Sequence, residues 1–243
     1  MRRALTFAVS LVPILPLAGR AQQPSVRFRI HPWTDGAVVA AGLSAALVPM
    51  LWPGSFPHAT CAPCNPATLW SIDRGTVGPA RSGPAALSNG TIGFEALLGA
   101  AFLASSRKGA GVAAFAEDAT VIAQALTTTA AVTSWTKVLF HRPRPFLYAP
   151  TATGPVAPED GQSMPSEHSS IAFAAAAAYA SVLHRRGIAG SHKLQIGALF
   201  SAAAATATLR VVARRHFPTD VVAGAALGFV IGWTVPAIHP LAP

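Results

Sequence analysis

Residues 193–236 read KLQIGALFSAAAATATLRVVARRHFPTDVVAGAALGFVIGWTVP, and this stretch is the clearest indication of the fold. Two apolar, alanine-rich segments, 193–213 and 218–236, stand on either side of a short basic connection, and neither shows strand-like alternation. Apolar segments of this length are typical of helices rather than strands. The stretch therefore predicts two consecutive helices joined by a polar turn.

The same pattern recurs upstream and predicts one kind of secondary structure throughout. Further helices are predicted at 35–51, 92–106, 112–140 and 167–185. We therefore expect an all-α fold, a helical bundle of about six helices. Residues 52–90 and 143–165 are rich in Pro and Gly and are expected to form long irregular connections, which often carry function. Asn89-Gly-Thr91 fits a glycosylation sequon, but Asn-Gly is equally a turn signal, and the turn is preferred.

The composition narrows the classes of partner. The chain has 243 residues, of which 11% are charged and 51% hydrophobic, and its formal net charge is +9. So small a charged fraction is unusual for a water-soluble globular protein. The net charge suits an anionic membrane or a phosphorylated substrate. Nucleic acid is not an expected partner, because the sequence has no dense basic run with interleaved aromatic residues.

The first residues have the features of an export signal. A positive start, Met1-Arg2-Arg3, precedes an apolar stretch at 4–17 and a small-x-small cleavage site at Gly19-Arg20-Ala21. We therefore expect a signal peptide over residues 1–21 and export to the cell envelope. An uncleaved membrane anchor is the alternative, although the stretch is short for a bilayer span.

The two cysteines lie close together in Cys61-Ala-Pro-Cys64. An oxidising compartment would allow them to pair. Zinc binding would need further ligands nearby, and haem attachment would need histidine where Asn65 stands. A local structural disulfide is therefore the preferred interpretation.

Some predicted helices have the character of membrane spans. Residues 221–238 are free of charge and long enough to cross, and 36–52 are nearly so, whereas the other helices carry charges that lipid tolerates poorly. The turns opposite the polar segments described next are basic, which suits a cytoplasmic side: Arg107, Lys108, Arg185, Arg186 and Lys193. We expect a membrane-associated bundle with its site facing the periplasm; a soluble periplasmic bundle is the alternative. Six crossings in that orientation start inside the cell, which conflicts with a cleaved signal. Either residues 35–51 do not cross, the segment 1–21 is not a cleaved signal, or the bundle is soluble or peripheral.

Three polar segments contain residues suited to binding phosphate. The first is Lys137-Val-Leu-Phe-His-Arg-Pro-Arg144-Pro145, in which Lys137 falls in the last turn of a predicted helix and Arg144 is held extended between two prolines. Both cations could converge on one anion, lysine as a point charge and arginine as a bidentate fork. Taken alone, the segment would be read as a snorkelling lysine and a solvated arginine.

The second segment is Pro165-Ser166-Glu167-His168. Proline suits the first position of a helix, so the N–H groups of the next three residues are expected in an unpaired first turn that binds anions. The Ser166 hydroxyl adds a donor, and His168 is suited to giving a proton to a leaving alkoxide. A plain helix start with a serine cap is the alternative for this segment alone.

The third segment, from Arg210 to Asp220, is the most informative. His216 falls just before the last predicted helix, and Asp220 lies in its first turn, where the helix dipole favours a carboxylate. We expect Asp220 to accept from one imidazole nitrogen, fix the tautomer and leave the other nitrogen free to attack phosphorus. Arg210 closes the preceding helix and reaches the same anion. A capping aspartate with a surface histidine is the alternative. Three further arginines are expected to steer the substrate by charge rather than by contact: Arg142, Arg214 and Arg215.

Lys-x6-Arg-Pro, Pro-Ser-x-His and Arg-x5-His-x3-Asp, in this order, resemble the three signature motifs of the phosphatidic acid phosphatase type 2 / vanadium haloperoxidase superfamily. The resemblance implies an all-helical bundle whose phosphatases use no catalytic metal or cofactor. Residues 22–109 would supply N-terminal helices and a Pro/Gly-rich loop, and 110–236 the catalytic core of the same domain. The implied function is hydrolysis of phosphate monoesters or diphosphates, of a lipid or of a small phosphoester.

The resemblance also implies a role for each motif residue. Asp220 would orient His216, the nucleophile that forms a phosphohistidine, and His168 would protonate the leaving group. The implied phosphate-binding residues are Lys137, Arg144, Ser166, Glu167 (through its backbone amide) and Arg210.

Two residues depart from the family pattern. Glu167 stands where glycine is usual, so its carboxylate must turn away from a bound anion or repel it. A further effect suggested for this carboxylate is a rise in the pKa of an adjacent histidine. Leu209 replaces a common serine and removes at most a supporting hydroxyl. Two other functions remain as alternatives: a vanadate-dependent haloperoxidase, although that branch is longer, and a non-catalytic phosphate- or lipid-binding membrane protein.

Overall fold

The structure, a computed structural model, describes residues 26–106 and 111–242, so the expected signal peptide lies outside the described residues. In these two ranges, six long helices and one short helix form a bundle, which confirms the all-α prediction. The helices are α1 Pro32–Leu51, α2 Ser71–Arg74, α3 Ser82–Ser106, α4 Gly111–Phe140, α5 Glu167–Arg185, α6 Lys193–Val212 and α7 Pro218–Ile238. Short 3-10 turns lie in the connections, among them Pro145–Tyr148, Pro158–Gly161 and Ala189–His192.

Helix α5 lies at the centre of the bundle and contacts α3, α4, α6 and α7. Its buried face consists largely of alanines such as Ala174, which is 0% exposed. Every fourth residue of the facing α7 surface is glycine, at 224, 228 and 232. A Cβ atom at Gly228 would lie only 2.0 Å from the Ser170 carbonyl oxygen. Small residues on both helices therefore allow a close approach, which brings the starts of α5 and α7 together.

Helix α3 begins at Ser82 rather than at residue 92, so the irregular connection is shorter than predicted and the turn preferred at Asn89 is wrong. The Ser88 hydroxyl donates to the Ala85 carbonyl at 2.8 Å, within the same helix. It also accepts from Arg210 Nη1 at 3.2 Å. The local propensity of these first residues of α3 favours a turn, and contacts with α6 stabilise them as a helix.

Within the described residues, four segments are long and apolar enough to cross a membrane, which supports membrane association: Pro32–Leu51, Ser82–Ser106, Ala189–Val212 and Pro218–Ile238. Two of them contain charges that were expected to disfavour crossing. Glu95 is only 2% and Arg210 only 7% exposed, so both side chains face the protein. Charged residues in spanning helices are tolerated where they face the bundle interior.

The connection between α1 and α3 is anchored beside the motif segments. Cys61 and Cys64 are joined by a disulfide. The Cys64 N–H donates to the Leu147 carbonyl at 2.8 Å, and Cys64 packs with Leu147 and Phe217 in a small apolar core. This core seats the connection against the turn Pro145–Tyr148 and the start of α7.

Ion pairs hold the opposite end of the bundle together. Arg186, which follows α5, pairs with Asp118 and with Glu117 at 3.1 Å, both near the start of α4. Arg27, which precedes α1, pairs with the same Glu117. The start of α1 therefore lies at the end of the bundle where α4 begins and α5 finishes.

Candidate active site

The three motif segments meet at one end of the bundle, where α4 and α6 finish and α5 and α7 start. Lys137, Arg144, Glu167 and His168 line a cavity of about 550 Å³. Arg144 and His168 also line an adjoining cavity of about 360 Å³, together with Arg210. Residues far apart in sequence thus surround one depression, whose lining includes four cations and three carboxylates.

His216 is held in one orientation beneath this depression and is 1% exposed. Its Nδ1 lies 2.9 Å from the Ser163 carbonyl oxygen. A carbonyl only accepts hydrogen bonds, so this contact assigns the proton to Nδ1 and leaves a lone pair on Nε2. Nε2 lies 3.4 Å from Arg144 Nη1. Burial lowers the pKa of His216 to about 3, so the imidazole is neutral at neutral pH.

Asp220 does not make the short hydrogen bond to His216 that the sequence led us to expect. The nearest oxygen, Oδ2, is 3.7 Å from Nδ1. Instead Oδ2 accepts from the Ser163 hydroxyl at 2.5 Å and from the Phe217 N–H at 2.8 Å. The connection from the carboxylate to the imidazole therefore runs through Ser163.

Arg142 contacts Asp220 directly, whereas it was expected to act on the substrate only through its charge. Its guanidinium bonds Asp220 and lies 2.7 Å from Asp73 Oδ2. It also donates to the Thr219 hydroxyl at 2.7 Å and lies over the Phe217 ring, 4.3 Å from the centroid. Asp73 and Ser163 were not predicted from the sequence, and Arg142 was given a steering role only. The one local signal was that Arg142, like Arg144, precedes a proline.

Arg144 is fixed by backbone carbonyls. Its Nε donates to the Glu159 carbonyl at 3.0 Å and its Nη1 to the Arg215 carbonyl at 3.1 Å. Asp160 Oδ1 is 3.5 Å from Nε. Burial lowers the pKa of Arg144, which nevertheless stays charged near neutrality. The guanidinium is thus held beside Nε2 of His216 before any ligand binds.

Glu167 turns its carboxylate toward Lys137, at 2.9 Å from Nζ. The lysine side chain is 13% exposed and the glutamate 42%. The Lys137 charge lowers the pKa of Glu167, so the carboxylate is ionised at neutral pH. The Glu167 carboxylate therefore pairs with Lys137, one of the cations that were expected to bind phosphate.

The start of α5 differs in register from the sequence prediction. Pro165 was expected at the first helical position, but Ser166 is the N-cap and Glu167 is the first helical residue. The Ser166 N–H donates to the Asp220 carbonyl at 3.0 Å. The Ser166 hydroxyl is 3.2 Å from the Ser169 hydroxyl, and Ser166 is 0% exposed. Its side chain therefore caps the helix, and the first-turn amides begin at Glu167.

His168 and Arg210 both contact the part of α3 that was predicted to be a loop. His168 Nε2 lies 2.8 Å from Asn89 Oδ1, and Arg210 bonds Ser88. Burial, followed by the Arg210 charge, lowers the pKa of His168 to about 4. The suggested increase in a histidine pKa from Glu167 is therefore outweighed. Neither contact with α3 could be anticipated, because residues 82–91 were not predicted to be helical.

Comparison with known proteins gives two matches. Residues 118–242 match the family model described as the PAP2 superfamily. No curated protein matches the chain. One similar solved structure is the crystal structure of the first transmembrane PAP2 type phosphatidylglycerolphosphate phosphatase from Bacillus subtilis. It is 17% identical, covers 84% of this chain and 93% of that chain, and has a TM-score of 0.47.

Proposed function

The chain belongs to the PAP2 superfamily, and from its site we propose that it is a metal-independent phosphatase that acts through a phosphohistidine. The observation that carries this proposal is the state of His216. Its Nδ1 is committed to the Ser163 carbonyl, and its Nε2 lies 3.4 Å from a fixed guanidinium. A neutral imidazole whose Nε2 lone pair faces a phosphate-binding cation is suited to attack on phosphorus.

Three cations and a helix start supply the phosphate site. Arg144 and Arg210 offer planar donor forks, and Lys137 offers a point charge once Glu167 moves aside. The first-turn amides of α5 add N–H donors aligned with the helix dipole. Groups held in place before binding stabilise the charge that develops on the equatorial oxygens during transfer.

The reaction runs in two steps. In the first, Nε2 of His216 attacks phosphorus, the P–O ester bond breaks, and protonated His168 gives its proton to the leaving oxygen. The Ser163 carbonyl stabilises the positive charge on the phosphorylated imidazole. In the second, neutral His168 takes a proton from water, which attacks phosphorus and breaks the P–N bond. Phosphate and the alcohol are the products, and both histidines return to their starting state.

We propose a lipid monoester or diphosphate as the substrate. The apolar spans support a membrane location, in which an amphiphile reaches the end of the bundle with its phosphate at the polar surface. A small soluble phosphoester is the other member of the same class, and a panel of substrates distinguishes them.

The test compares wild type with His216→Ala on phosphatidate, an isoprenyl diphosphate and p-nitrophenyl phosphate. Rates are expected to fall at least about a thousandfold on every substrate that wild type hydrolyses. His192→Ala, at the opposite end of the bundle, is the matched control and should keep wild-type rates. Brief reaction with a labelled substrate followed by an alkaline quench should trap label on wild type and not on His216→Ala. Equal rates in wild type and His216→Ala would refute the proposal.

A further inference from the structure

Glu95 is a buried acid that the proposed reaction does not use. It lies in the middle of α3 and is 2% exposed. Neither carboxyl oxygen has a hydrogen-bond partner among residues 26–106 and 111–242. An unpartnered carboxyl group is strongly disfavoured in a protein interior, so such a group calls for a functional explanation.

The Glu95 side chain faces an apolar cavity of about 290 Å³ between α3, α4 and α5. Among the described lining residues it is the only charged one. The apolar walls include Ile92, Phe115, Ile122, Leu126 and Ile171. A cavity of this kind accepts a hydrocarbon chain, and its one charged side chain can select among chains.

The cavity begins just below the phosphate site. On α5, Ile171 lines it one helical turn after His168, which lines both phosphate cavities. On α3, Glu95 follows Ser88 by seven residues, so it lies on the same face and about 10 Å further along the helix. Ser88 is the residue that bonds Arg210. A chain that runs inward from a bound phosphate would therefore pass Glu95.

We propose that this cavity holds the hydrocarbon chain of the phosphoester substrate and that Glu95 accepts a hydrogen bond from a hydroxyl group on that chain. The inference rests on the proposed function. A plain chain would fill the cavity and leave the carboxyl group unpaired. A hydroxyl at the right depth satisfies it, and discrimination is large where a buried acceptor would otherwise lack its partner.

The experiment uses two series of substrates. Alkyl monophosphates of increasing chain length are compared with matched compounds that carry a terminal hydroxyl. In wild type, the hydroxyl should reduce kcat/KM at most lengths, because it loses water on binding. At the chain length that reaches Glu95, kcat/KM of the hydroxylated compound should exceed that of the plain alkyl compound by roughly tenfold. No such length should exist for Glu95→Leu.

Glu95→Gln keeps a side-chain oxygen acceptor and should retain part of the preference. Leu97→Ala, an exposed position on α3, is the control and should behave as wild type. p-Nitrophenyl phosphate does not reach the cavity, so all variants should hydrolyse it equally. A hydroxyl effect that is the same at every length, or unchanged in Glu95→Leu, would overturn the inference.

Failure of the proposed function gives a different result. In that case wild type hydrolyses neither series, and the same compounds are tested as ligands by their effect on the melting temperature in detergent. A length-specific gain from the hydroxyl, lost in Glu95→Leu, would still support the chain site. Equal stabilisation by both series at all lengths would refute it.

Discussion

Ser163 connects His216 to Asp220 through two of its own atoms. Its carbonyl oxygen accepts from Nδ1 at 2.9 Å, and its hydroxyl donates to Oδ2 at 2.5 Å. The charge that His216 gains on attack is therefore met by a carbonyl dipole at short range and by a carboxylate at 3.7 Å. Because the Phe217 N–H also holds Asp220, these groups are in place before substrate binds.

We expect His168→Asn to affect substrates according to their leaving group. An alkoxide needs a proton as it departs, whereas p-nitrophenolate leaves without one. Loss of general acid catalysis should therefore reduce kcat/KM for an alkyl phosphate by about 10²–10⁴ and for p-nitrophenyl phosphate by less than about tenfold. Steady-state kinetics with both substrates checks this, and equal losses would contradict the acid role.

The same role sets the pH dependence in wild type. His168 donates only when protonated, and its pKa in the empty site is about 4. A bound phosphate dianion favours the imidazolium and raises that pKa. Hydrolysis of the alkyl phosphate should therefore decline as pH rises through the pKa of the complex, while p-nitrophenyl phosphate hydrolysis persists to higher pH. The same pH profile for both substrates would contradict the assignment of His168 as the general acid.

Glu167→Gln should strengthen phosphate binding. The carboxylate that now lies 2.9 Å from Lys137 competes with the ligand for that cation, and the amide is neutral. We expect the inhibition constant of inorganic phosphate to fall by about tenfold. Glu159→Gln removes a charge from the same cavity without a contact to Lys137 and is the matched control. Equal tightening in both variants would show a general field effect. Activity present only in Glu167→Gln would favour the non-catalytic alternative for the natural chain.

At the residue scale, sequence predicted the site members better than their contacts. Lys137, Arg144, His168 and Arg210 follow from motif spacing, and they line the two adjoining cavities. The part played by Ser163 depends on how the connection after α4 folds back. This folding depends on tertiary contacts that no local pattern encodes; for example, the Ser163 N–H donates to the Arg142 carbonyl at 2.6 Å.

At the element scale, some helix starts could be predicted from local sequence and others could not: α1 begins at Pro32, three residues before the predicted start. The predicted starts at 167 and 218 agree with α5 and α7, where Ser166 caps one helix and Pro218 opens the other. The start of α3 was missed, because its first residues are mostly Ser, Gly, Pro and Asn. Its helical state depends on packing against α6, which sequence periodicity does not report.

The contact between α5 and α7 makes Gly228 intolerant of a side chain. A Cβ atom there would lie 2.0 Å from a backbone oxygen of α5, so Gly228→Ala must push the helices apart. We expect a loss of roughly 2 kcal/mol or more in unfolding free energy. Reduced kcat should accompany it, since Ser166 caps α5 and Asp220 lies in the first turn of α7. Gly197→Ala meets no atom within 4 Å and should be neutral or stabilise α6. Thermal unfolding of both variants tests this prediction. Similar melting temperatures for the two variants would show that Gly228 is not required for the packing of α5 against α7.

At the scale of the whole molecule, the direction of α1 constrains the orientation. Pro49 and Met50, near its end, line the larger phosphate cavity, whereas Arg27 pairs with Glu117 at the opposite end. Helix α1 therefore runs along the bundle from the end opposite the site to the site end. If the site faces the periplasm, residue 26 lies on the cytoplasmic side. A signal cleaved after residue 21 would leave it on the periplasmic side, so these two sequence predictions exclude each other if α1 crosses the membrane.

Cysteine labelling in intact cells resolves that conflict. Thr151→Cys lies in an exposed connection at the site end, and Ser191→Cys in an exposed turn at the opposite end. The opposite end carries Arg185, Arg186 and Lys193, which favour the cytoplasm. We therefore expect a membrane-impermeant maleimide to label Thr151→Cys directly and Ser191→Cys only after permeabilisation. Wild type, whose two cysteines form a disulfide, gives the background. The reverse pattern would place the site in the cytoplasm, and labelling of both positions without permeabilisation would contradict a membrane-spanning bundle.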